Sequence, residues 1–279
     1  MTLRPMTPAL GMEVTGIRLA DGVTDAQYQV LRRAFVDHGV LRFPGQHLTP
    51  DQQVDFSRLF GHVPPVPDSM FLVHDQNRHV SVLENDADRP PNVNTWHSDY
   101  SFAALPDLAS VLQAEVVPDI GGDTVWASMF AAYDGLSDKM KARLDGLTAV
   151  HDFMELYRRP LKKALWEGPR AELMHAAQRE FPPVSHPVVI THPENGRKAL
   201  FVNDAFTSHI NDMTTTESRS LLGFLFEQAK IPEYQLRVSW QPGDLVMWDN
   251  RSMAHYAVAD YHPHYRRMHR VTVLEQARG

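Results

Sequence analysis

One pair of side chains that could bind a metal is His97-x-Asp99, within the stretch NTWHSDYSF. In an extended segment, residues i and i+2 project to the same side, so the imidazole and the carboxylate can bind one ion. Taken alone, such a pair is more often a hydrogen-bonded surface pair than a ligand pair. A metal-site hypothesis therefore needs a third ligand from elsewhere in the chain.

His255 supplies that ligand. It ends the run GDLVMWDNRSMAH, which reads as a turn, an apolar strand and a polar loop. Two histidines and one carboxylate form a facial triad, the arrangement that leaves three adjacent positions on Fe(II) open. Because the chain has no cysteine, any metal must be held by His, Asp or Glu, and disulfides and cysteine nucleophiles are excluded.

Two arginines follow in the run YRRMHRVTVLE. If this run is a strand, Arg266 and Arg270 lie on one face, and both guanidinium groups point into the same space. One interpretation is a solvated basic edge strand, which is the commoner case for such a run considered alone. The other is a site for a dicarboxylate, because the planar fork of arginine binds a carboxylate through two hydrogen bonds.

A glycine pair precedes a hydroxyl that could assist this binding. Gly121-Gly122-Asp123-Thr124 predicts a tight turn between two strands, with the Thr124 hydroxyl at the mouth of a barrel. The alternative is a plain hairpin turn without a role in binding.

Composition excludes several classes of protein. The 279 residues are 43% apolar and 22% charged, and no apolar stretch approaches the ~18 residues of a membrane span, which excludes a fibre, a disordered chain and a transmembrane protein. The net charge of −7 disfavours nucleic acid as a partner, so we expect binding in a pocket, where an anionic small molecule would need local cationic residues. Pro5, Pro8 and Gly11 interrupt any secretion signal, and we expect a cytoplasmic location.

Three capping boxes predict helix starts, namely Thr24-x-x-Gln27, Thr49-Pro50-x-Gln52 and Thr214-x-x-Glu217. The first two helices are expected to end at Gly39 and Gly61. At least eight short apolar runs predict strands, and they do not alternate regularly with helices. This order favours a mainly β fold with flanking helices, an antiparallel sandwich or jelly roll, over a doubly wound parallel sheet.

The chain is expected to be a single domain over residues 1–279. A charged, helix-prone segment near 157–180, interrupted by Pro160 and Pro169, is interpreted as an insertion in that domain.

Taken together and in this order, the separate motifs resemble the taurine dioxygenase family of Fe(II)- and 2-oxoglutarate-dependent dioxygenases. The similarity covers nearly the whole chain and includes FPGQ at 43–46, HPVV at 186–189, THPENGRKALFVN at 191–203 and MHRVTV at 268–273. The resemblance implies a double-stranded β-helix fold in which His97, Asp99 and His255 bind iron. It also implies that Thr124 and Arg266 hold the far carboxylate of 2-oxoglutarate.

The reaction implied by the resemblance consumes 2-oxoglutarate and O2, releases succinate and CO2, and hydroxylates a small anionic substrate. Arg270 would bind the anionic head and Phe206 would line the pocket. If the hydroxylated carbon carries a sulfonate, the product collapses to an aldehyde and sulfite, so taurine or a related alkylsulfonate is the leading substrate. Family likeness further implies a homo-oligomer.

The sequence departs from this pattern at the substrate site. Positions that correspond to polar contacts in the family hold Asp68, Phe71, Val93 and Leu156. Apolar side chains such as Phe71 and Val93 cannot hydrogen-bond an ammonium group, and an unpaired buried charge costs several kcal/mol. A more apolar alkylsulfonate, an alkyl sulfate ester or an aryloxyalkanoate is therefore expected to be an alternative, and better, substrate.

Two functions from other classes remain open at this point. The same three residues could hold zinc in a hydrolase, although a hydrolase has no need for the dicarboxylate site that Arg266 suggests. The fold could also serve a jelly-roll binding protein in which the histidines are structural. The other histidines, among them His151, His192, His262 and His264, are interpreted as structural or surface residues without a matching carboxylate.

Overall fold

A computed structural model describes residues 1–67, 72–91, 93–156 and 171–275. Within these ranges the strands are β1 Thr2–Pro5, β2 Met12–Thr15, β3 Val40–Phe43, β4 Leu72–His74, β5 Asn77–Asn85, β6 Ala109–Val116, β7 Thr124–Ser128, β8 Thr148–His151, β9 Val184–Pro187, β10 Val189–Thr191, β11 Lys198–Leu200, β12 Thr207–Ile210, β13 Gln235–Val238, β14 Leu245–Asp249, β15 Met253–Ala257 and β16 Arg266–Val273. The α-helices of the same ranges are α1 Asp25–His38, α2 Pro50–Arg58, α3 Met129–Asp134, α4 Asp138–Leu144, α5 Ala171–Glu180 and α6 Thr215–Gln228.

The largest sheet has eight strands in the order β1-β2-β3-β14-β6-β16-β5-β4, antiparallel except for the pair β2 and β3. Alternate residues of β14 pack into different cores, with Val246 and Trp248 on one side and Leu245 and Met247 on the other. Because both faces of the sheet are covered here, the central strand β14 is a continuous apolar run from Leu245 to Trp248 rather than an alternating one.

A second sheet, in the order β13-β7-β15, packs against the inner face of the large one. Trp126 of β7 shares this core with Leu112, Trp248 and Met268 of the large sheet. The outer face of the large sheet is covered by α1 and α2, where Phe35 is fully buried. The predicted mainly β fold with flanking helices, a double-stranded β-helix, is confirmed.

The three predicted capping boxes are all present, with reciprocal hydrogen bonds. Helix α1 ends as predicted, because Gly39 adopts a left-handed conformation with φ 70°. The prediction that the second helix ends at Gly61 is wrong, since α2 ends at Arg58. Gly61 instead allows a close approach of two backbones, because a Cβ there would lie 2.3 Å from the carbonyl oxygen of Leu274.

Helix α5 agrees with the helix-prone character predicted near 157–180, but residues 157–170 of that insertion lie outside the described residues. The organisation of residues 1–279 as one domain stays a prediction. In the part of the chain that the structure describes, no helix combines the length and the apolar character that a membrane crossing requires.

Candidate active site

The fold brings His97, Asp99 and His255 together in the protein interior. Their potential ligand atoms all lie within 4.8 Å of one another, and each side chain is buried. Asp99 Oδ1 is 3.7 Å from His97 Nε2 and 3.9 Å from His255 Nε2, and the two imidazole centroids are 4.0 Å apart. This is the convergence that the sequence predicted.

A short β-bridge explains how residues so distant in sequence meet. His97 lies against His255 of the edge strand β15, and the two exchange backbone hydrogen bonds of 3.0 and 2.7 Å. The hydroxyl of Ser98 donates to the carbonyl oxygen of Met253 at 2.9 Å, which fixes the register. The chain then turns, with Tyr100 at φ 51°, and leaves Asp99 beside both histidines.

Hydrogen bonds and neighbouring charges favour the forms of these three side chains that bind a cation. His97 Nδ1 lies 2.8 Å from the carbonyl oxygen of Thr95, so Nδ1 carries a proton, and the neutral form of this ring presents its lone pair at Nε2. Burial, and then the neighbouring His97, lower the pKa of His255 to about 3. Burial alone would raise the pKa of Asp99, but Arg270 and the two histidines outweigh it and hold this pKa at about 2. At neutral pH the site offers the neutral imidazole of His255 and the carboxylate of Asp99, the states that bind metal.

Asp99 is oriented by Ser110 and Asn250, two residues to which the sequence analysis assigned no role. Ser110 donates its hydroxyl to Asp99 Oδ2 at 2.6 Å, and Asn250 Nδ2 donates to the Ser110 oxygen at 3.1 Å. Asn250 Oδ1 accepts hydrogen bonds from the Asp99 backbone at 3.3 Å and from Trp248 Nε1 at 2.9 Å. With Oδ2 engaged by Ser110, Oδ1 is the oxygen that faces the histidines. The spacing of residues in the sequence does not point to Ser110, because only the folding of the sheet brings it next to Asp99.

The Ser110 bond should therefore strengthen metal binding. We expect Ser110→Ala to weaken Mn(II) affinity about tenfold, because residues that orient metal ligands typically contribute 10–100-fold. Titration followed by electron paramagnetic resonance measures this without turnover. Ser57→Ala is the matched control, since Ser57 is equally buried but donates to Gln53 in α2. Equal affinities in both variants would contradict this role.

Arg266 is a buried cation, and its surroundings favour the binding of an anion. Its side chain is 7% exposed, its Nε has no hydrogen-bond partner among the described residues, and burial lowers its pKa. Asp123, which acts on it electrostatically, is itself ion-paired with Arg237 at 2.6 Å. The edge-strand interpretation is wrong, because β16 lies between β6 and β5. Burying a cation without a close counterion is unfavourable, so this geometry favours an anionic ligand.

The glycine pair beside Arg266 is not a hairpin between adjacent strands. Gly121 and Gly122 have φ values of 84° and 71°, and their segment connects β6 of the large sheet to β7 of the second sheet. A Cβ on Gly122 would lie 3.2 Å from Arg266 Cδ and Nε, so glycine allows the arginine to pack closely. The buried Thr124 hydroxyl accepts a hydrogen bond from Trp240 Nε1 at 3.0 Å, which leaves its own hydrogen for another acceptor.

Arg270 connects the triad to a cavity of about 210 Å³. Its Nη1 donates to Asp99 Oδ1 at 3.2 Å, and its side chain also lines the cavity. The polar part of the wall is formed by Arg270 with Ser81, His79, Tyr100, Asp107 and Thr272. Most of the remaining wall is apolar and consists of Pro64, Pro65, Val66, Pro67, Ala103, Leu105, Phe181 and Leu274. The cavity can hold an anionic head beside Arg270 and an uncharged tail against these side chains.

The other residues predicted at the substrate site have different positions. The Phe206 ring stands edge-on to His97, with centroids 6.1 Å apart, and Leu156 is buried in the same apolar cluster as Phe206. Val93 is 39% exposed and does not line the cavity. Phe71 and Asp68 lie outside the described residues.

One histidine has a partner that the sequence did not reveal. His192 was expected to lack a carboxylate, but its Nε2 lies 3.0 Å from Asp249 Oδ2, and both side chains are fully buried. Arg251 binds the same carboxylate at 2.7 Å. This buried cluster anchors the end of β14, from which the chain continues towards His255. His262 and His264 are exposed, as predicted.

Comparison with known proteins gives consistent matches. The model of the family described as "Taurine catabolism dioxygenase TauD, TfdA family" matches residues 2–272. An alkylsulfatase from Acinetobacter baylyi is 33% identical over 98% of this chain and 84% of its own length. An (S)-phenoxypropionate/alpha-ketoglutarate-dioxygenase from Sphingobium herbicidovorans is 34% identical over 91% and 88%. The crystal structure of AAD-2 in complex with Mn(II) and N-oxalylglycine has a TM-score of 0.82 at 31% identity, covering 99% and 98% of the two chains.

Proposed function

Because the chain belongs to the TauD/TfdA family of 2-oxoglutarate-dependent dioxygenases, which use Fe(II) and O2, we propose that it hydroxylates an organic sulfate ester or alkylsulfonate with an apolar chain. The observation that carries this proposal is the cavity at Arg270, cationic at one point and apolar over most of its wall. Hydroxylation of the carbon that bears the sulfate or sulfonate yields a product that collapses to an aldehyde with release of sulfate or sulfite.

His97, Asp99 and His255 are proposed to hold the iron. The residues fit such an ion, since two imidazoles and one carboxylate are buried with their potential ligand atoms within 4.8 Å of one another. When bound, Fe(II) supplies the activation of O2 that oxidises an otherwise unreactive C–H bond. The protein contributes the positions of the ligands and a site shielded from bulk water.

Arg266 and Thr124 are proposed to bind the far carboxylate of 2-oxoglutarate. The guanidinium can offer two parallel hydrogen bonds, and the Thr124 hydroxyl can offer a third. The lack of an ion pair between Arg266 and any described carboxylate supports this role, because a bound dicarboxylate would supply the missing negative charge. In the related AAD-2 structure, N-oxalylglycine is present with Mn(II), and this compound differs from 2-oxoglutarate by NH in place of CH2.

Arg270 is proposed to bind the sulfate or sulfonate group, with Phe206 beside the reacting carbon. Arg270 reaches both the triad and the cavity, so a head bound there places the adjacent carbon near the metal position. Phe206 packs against His97 and Phe102 and presents an apolar surface at this point. Phe71 and Val93 stay proposed substrate contacts from the sequence alone.

This assignment predicts a preference among substrates. We expect hexyl sulfate or hexanesulfonate to exceed taurine in kcat/KM by at least about tenfold, because most of the described cavity wall is apolar and stabilises an uncharged tail better than an ammonium group. Succinate formation, O2 consumption and released sulfate or sulfite measure the three reactions in parallel. Equal or better use of taurine would reject the apolar-cavity argument.

An aryloxyalkanoate is the second candidate substrate. The rings of Tyr100 and Phe181 line the cavity, with centroids 5.8 Å apart and an interplanar angle of 72°, which suits an aromatic tail. The phenoxypropionate dioxygenase of Sphingobium herbicidovorans is a relative of comparable identity. Release of a phenol from an aryloxy acid, with matching succinate, would identify this activity. Membership of a dioxygenase family argues against both a zinc hydrolase and a binding protein.

A further inference from the structure

Asp107 is a buried acid in the cavity wall to which the proposed mechanism gives no role. It precedes β6 by two residues, is 2% exposed, and lines the cavity together with Arg270. Thr272 contributes a side-chain hydrogen bond to its carboxyl group, whereas Oδ2 has no hydrogen-bond partner among the described residues. Buried polar atoms are almost always satisfied, so an unsatisfied one at a cavity wall indicates a ligand contact.

The charges around Asp107 decide which kind of contact it can make. Burial raises the pKa of Asp107 well above its usual range, and the nearby Asp99 raises it further. The positive charge of Arg270 lowers the pKa of Asp107. Arg270 also interacts with Asp99, because its Nη1 donates to Asp99 Oδ1 at 3.2 Å. Burial therefore favours the uncharged form of Asp107, which can donate one O–H hydrogen bond.

We propose that Asp107 determines substrate specificity by donating a hydrogen bond from its uncharged carboxyl group to an oxygen of the anionic head that Arg270 binds. This inference rests on the proposed function. A sulfate or sulfonate group has three terminal oxygens, so it can accept from Arg270 and from Asp107 at the same time. The two side chains together form a recognition site for the head.

The protonation state matters for the choice between substrate classes. A charged Asp107 carboxylate would repel an anionic head and would attract an ammonium group such as that of taurine. An uncharged Asp107 removes the repulsion, offers no counterion to an amine, and binds the head instead. Asp107 thus favours anions with an uncharged tail over amino-substituted ones.

Two isosteric variants separate these possibilities. Asp107→Asn cannot ionise but keeps an N–H donor, whereas Asp107→Leu has neither charge nor donor. With hexyl sulfate, we expect Asp107→Leu to raise KM roughly 10-fold to 150-fold, the range for a hydrogen bond to a charged group. Asp107→Asn should stay close to the wild-type KM. The KM for 2-oxoglutarate should be unchanged in both variants, which separates a contact with the substrate from general damage to the site.

Three results would overturn the proposal. A loss in Asp107→Asn as large as in Asp107→Leu would show that the charged form is needed, and a selective loss of taurine turnover in Asp107→Asn would assign Asp107 to the amine. Wild-type KM values in both variants would show that no contact exists. If Asp107→Leu fails to fold by circular dichroism, Asp107→Ala takes its place with the same expectation.

The wild-type enzyme in the same assay distinguishes this proposal from the proposed function. If it forms no succinate with any organic sulfate or sulfonate, the proposed function is wrong and the role of Asp107 falls with it. If the wild type turns over hexyl sulfate and the Asp107 variants give one of the three contrary results above, the proposed function stands and only the inference about Asp107 is wrong.

Discussion

Replacing His97 by alanine is expected to abolish turnover while the protein remains folded. The variant leaves only Asp99 and His255 to hold the ion, and it removes the imidazole whose Nε2 faces both of them. His97 follows β5 in a loop and pairs with β15 through backbone atoms that alanine retains. Oxygen consumption and succinate release measure turnover, Mn(II) titration measures metal affinity, and circular dichroism reports the fold.

A buried histidine outside the triad provides the control for His97→Ala. His151 is fully buried and stacks on Phe201 with ring centroids 5.6 Å apart, so His151→Phe should be accommodated and should keep both metal affinity and turnover. Global unfolding of His97→Ala, or wild-type Mn(II) affinity in that variant, would count against the assignment of His97 as a ligand.

Replacing Arg266 by alanine should raise the KM for 2-oxoglutarate roughly 10-fold to 150-fold, because a charge-assisted hydrogen bond contributes ~1.5–3 kcal/mol. The Arg266 side chain lies next to Gly122 and over the ring of Tyr261. Arg266→Lys should recover part of the loss, since it restores the charge but not the planar fork. Calorimetric titration of 2-oxoglutarate into the anaerobic Mn(II) enzyme gives the affinity directly.

The neighbouring arginine makes a matched control for Arg266→Ala. Arg267 has the same charge but lies on the opposite face of β16, partly exposed to solvent. We expect Arg267→Ala to leave the KM for 2-oxoglutarate unchanged. If the KM for 2-oxoglutarate is unchanged in Arg266→Ala, or rises equally in both variants, the proposed role of Arg266 is wrong.

Some features of the site could be predicted because they depend on local geometry. His97 and Asp99 are two residues apart, and Arg266 and Arg270 lie four apart on a strand, so backbone alternation alone places each pair on one side. Helix starts were predictable for the same reason, since a capping box closes within four residues. The Gly61 prediction failed because a contact with Leu274, distant in sequence, decides the role of that glycine.

Other features depend on which strands become neighbours. Ser110 donates directly to Asp99 and accepts a hydrogen bond from Asn250, which lies beside it because β14 pairs with β6. The bond between His192 and Asp249 also joins segments far apart in the chain. No spacing in the sequence marks such partners, because strand register across a sheet is set by the packing of the whole core.

The sequence by itself determined the chemistry available to this protein: the ligand types, the paired arginines and their order along the chain. The tertiary structure alone decided that Arg266 is buried, which oxygen of Asp99 faces the histidines, and that Asp107 lines the same cavity as Arg270. The reason is that residue types and short spacings are local properties, whereas burial, charge pairing and cavity shape arise only when distant strands pack together.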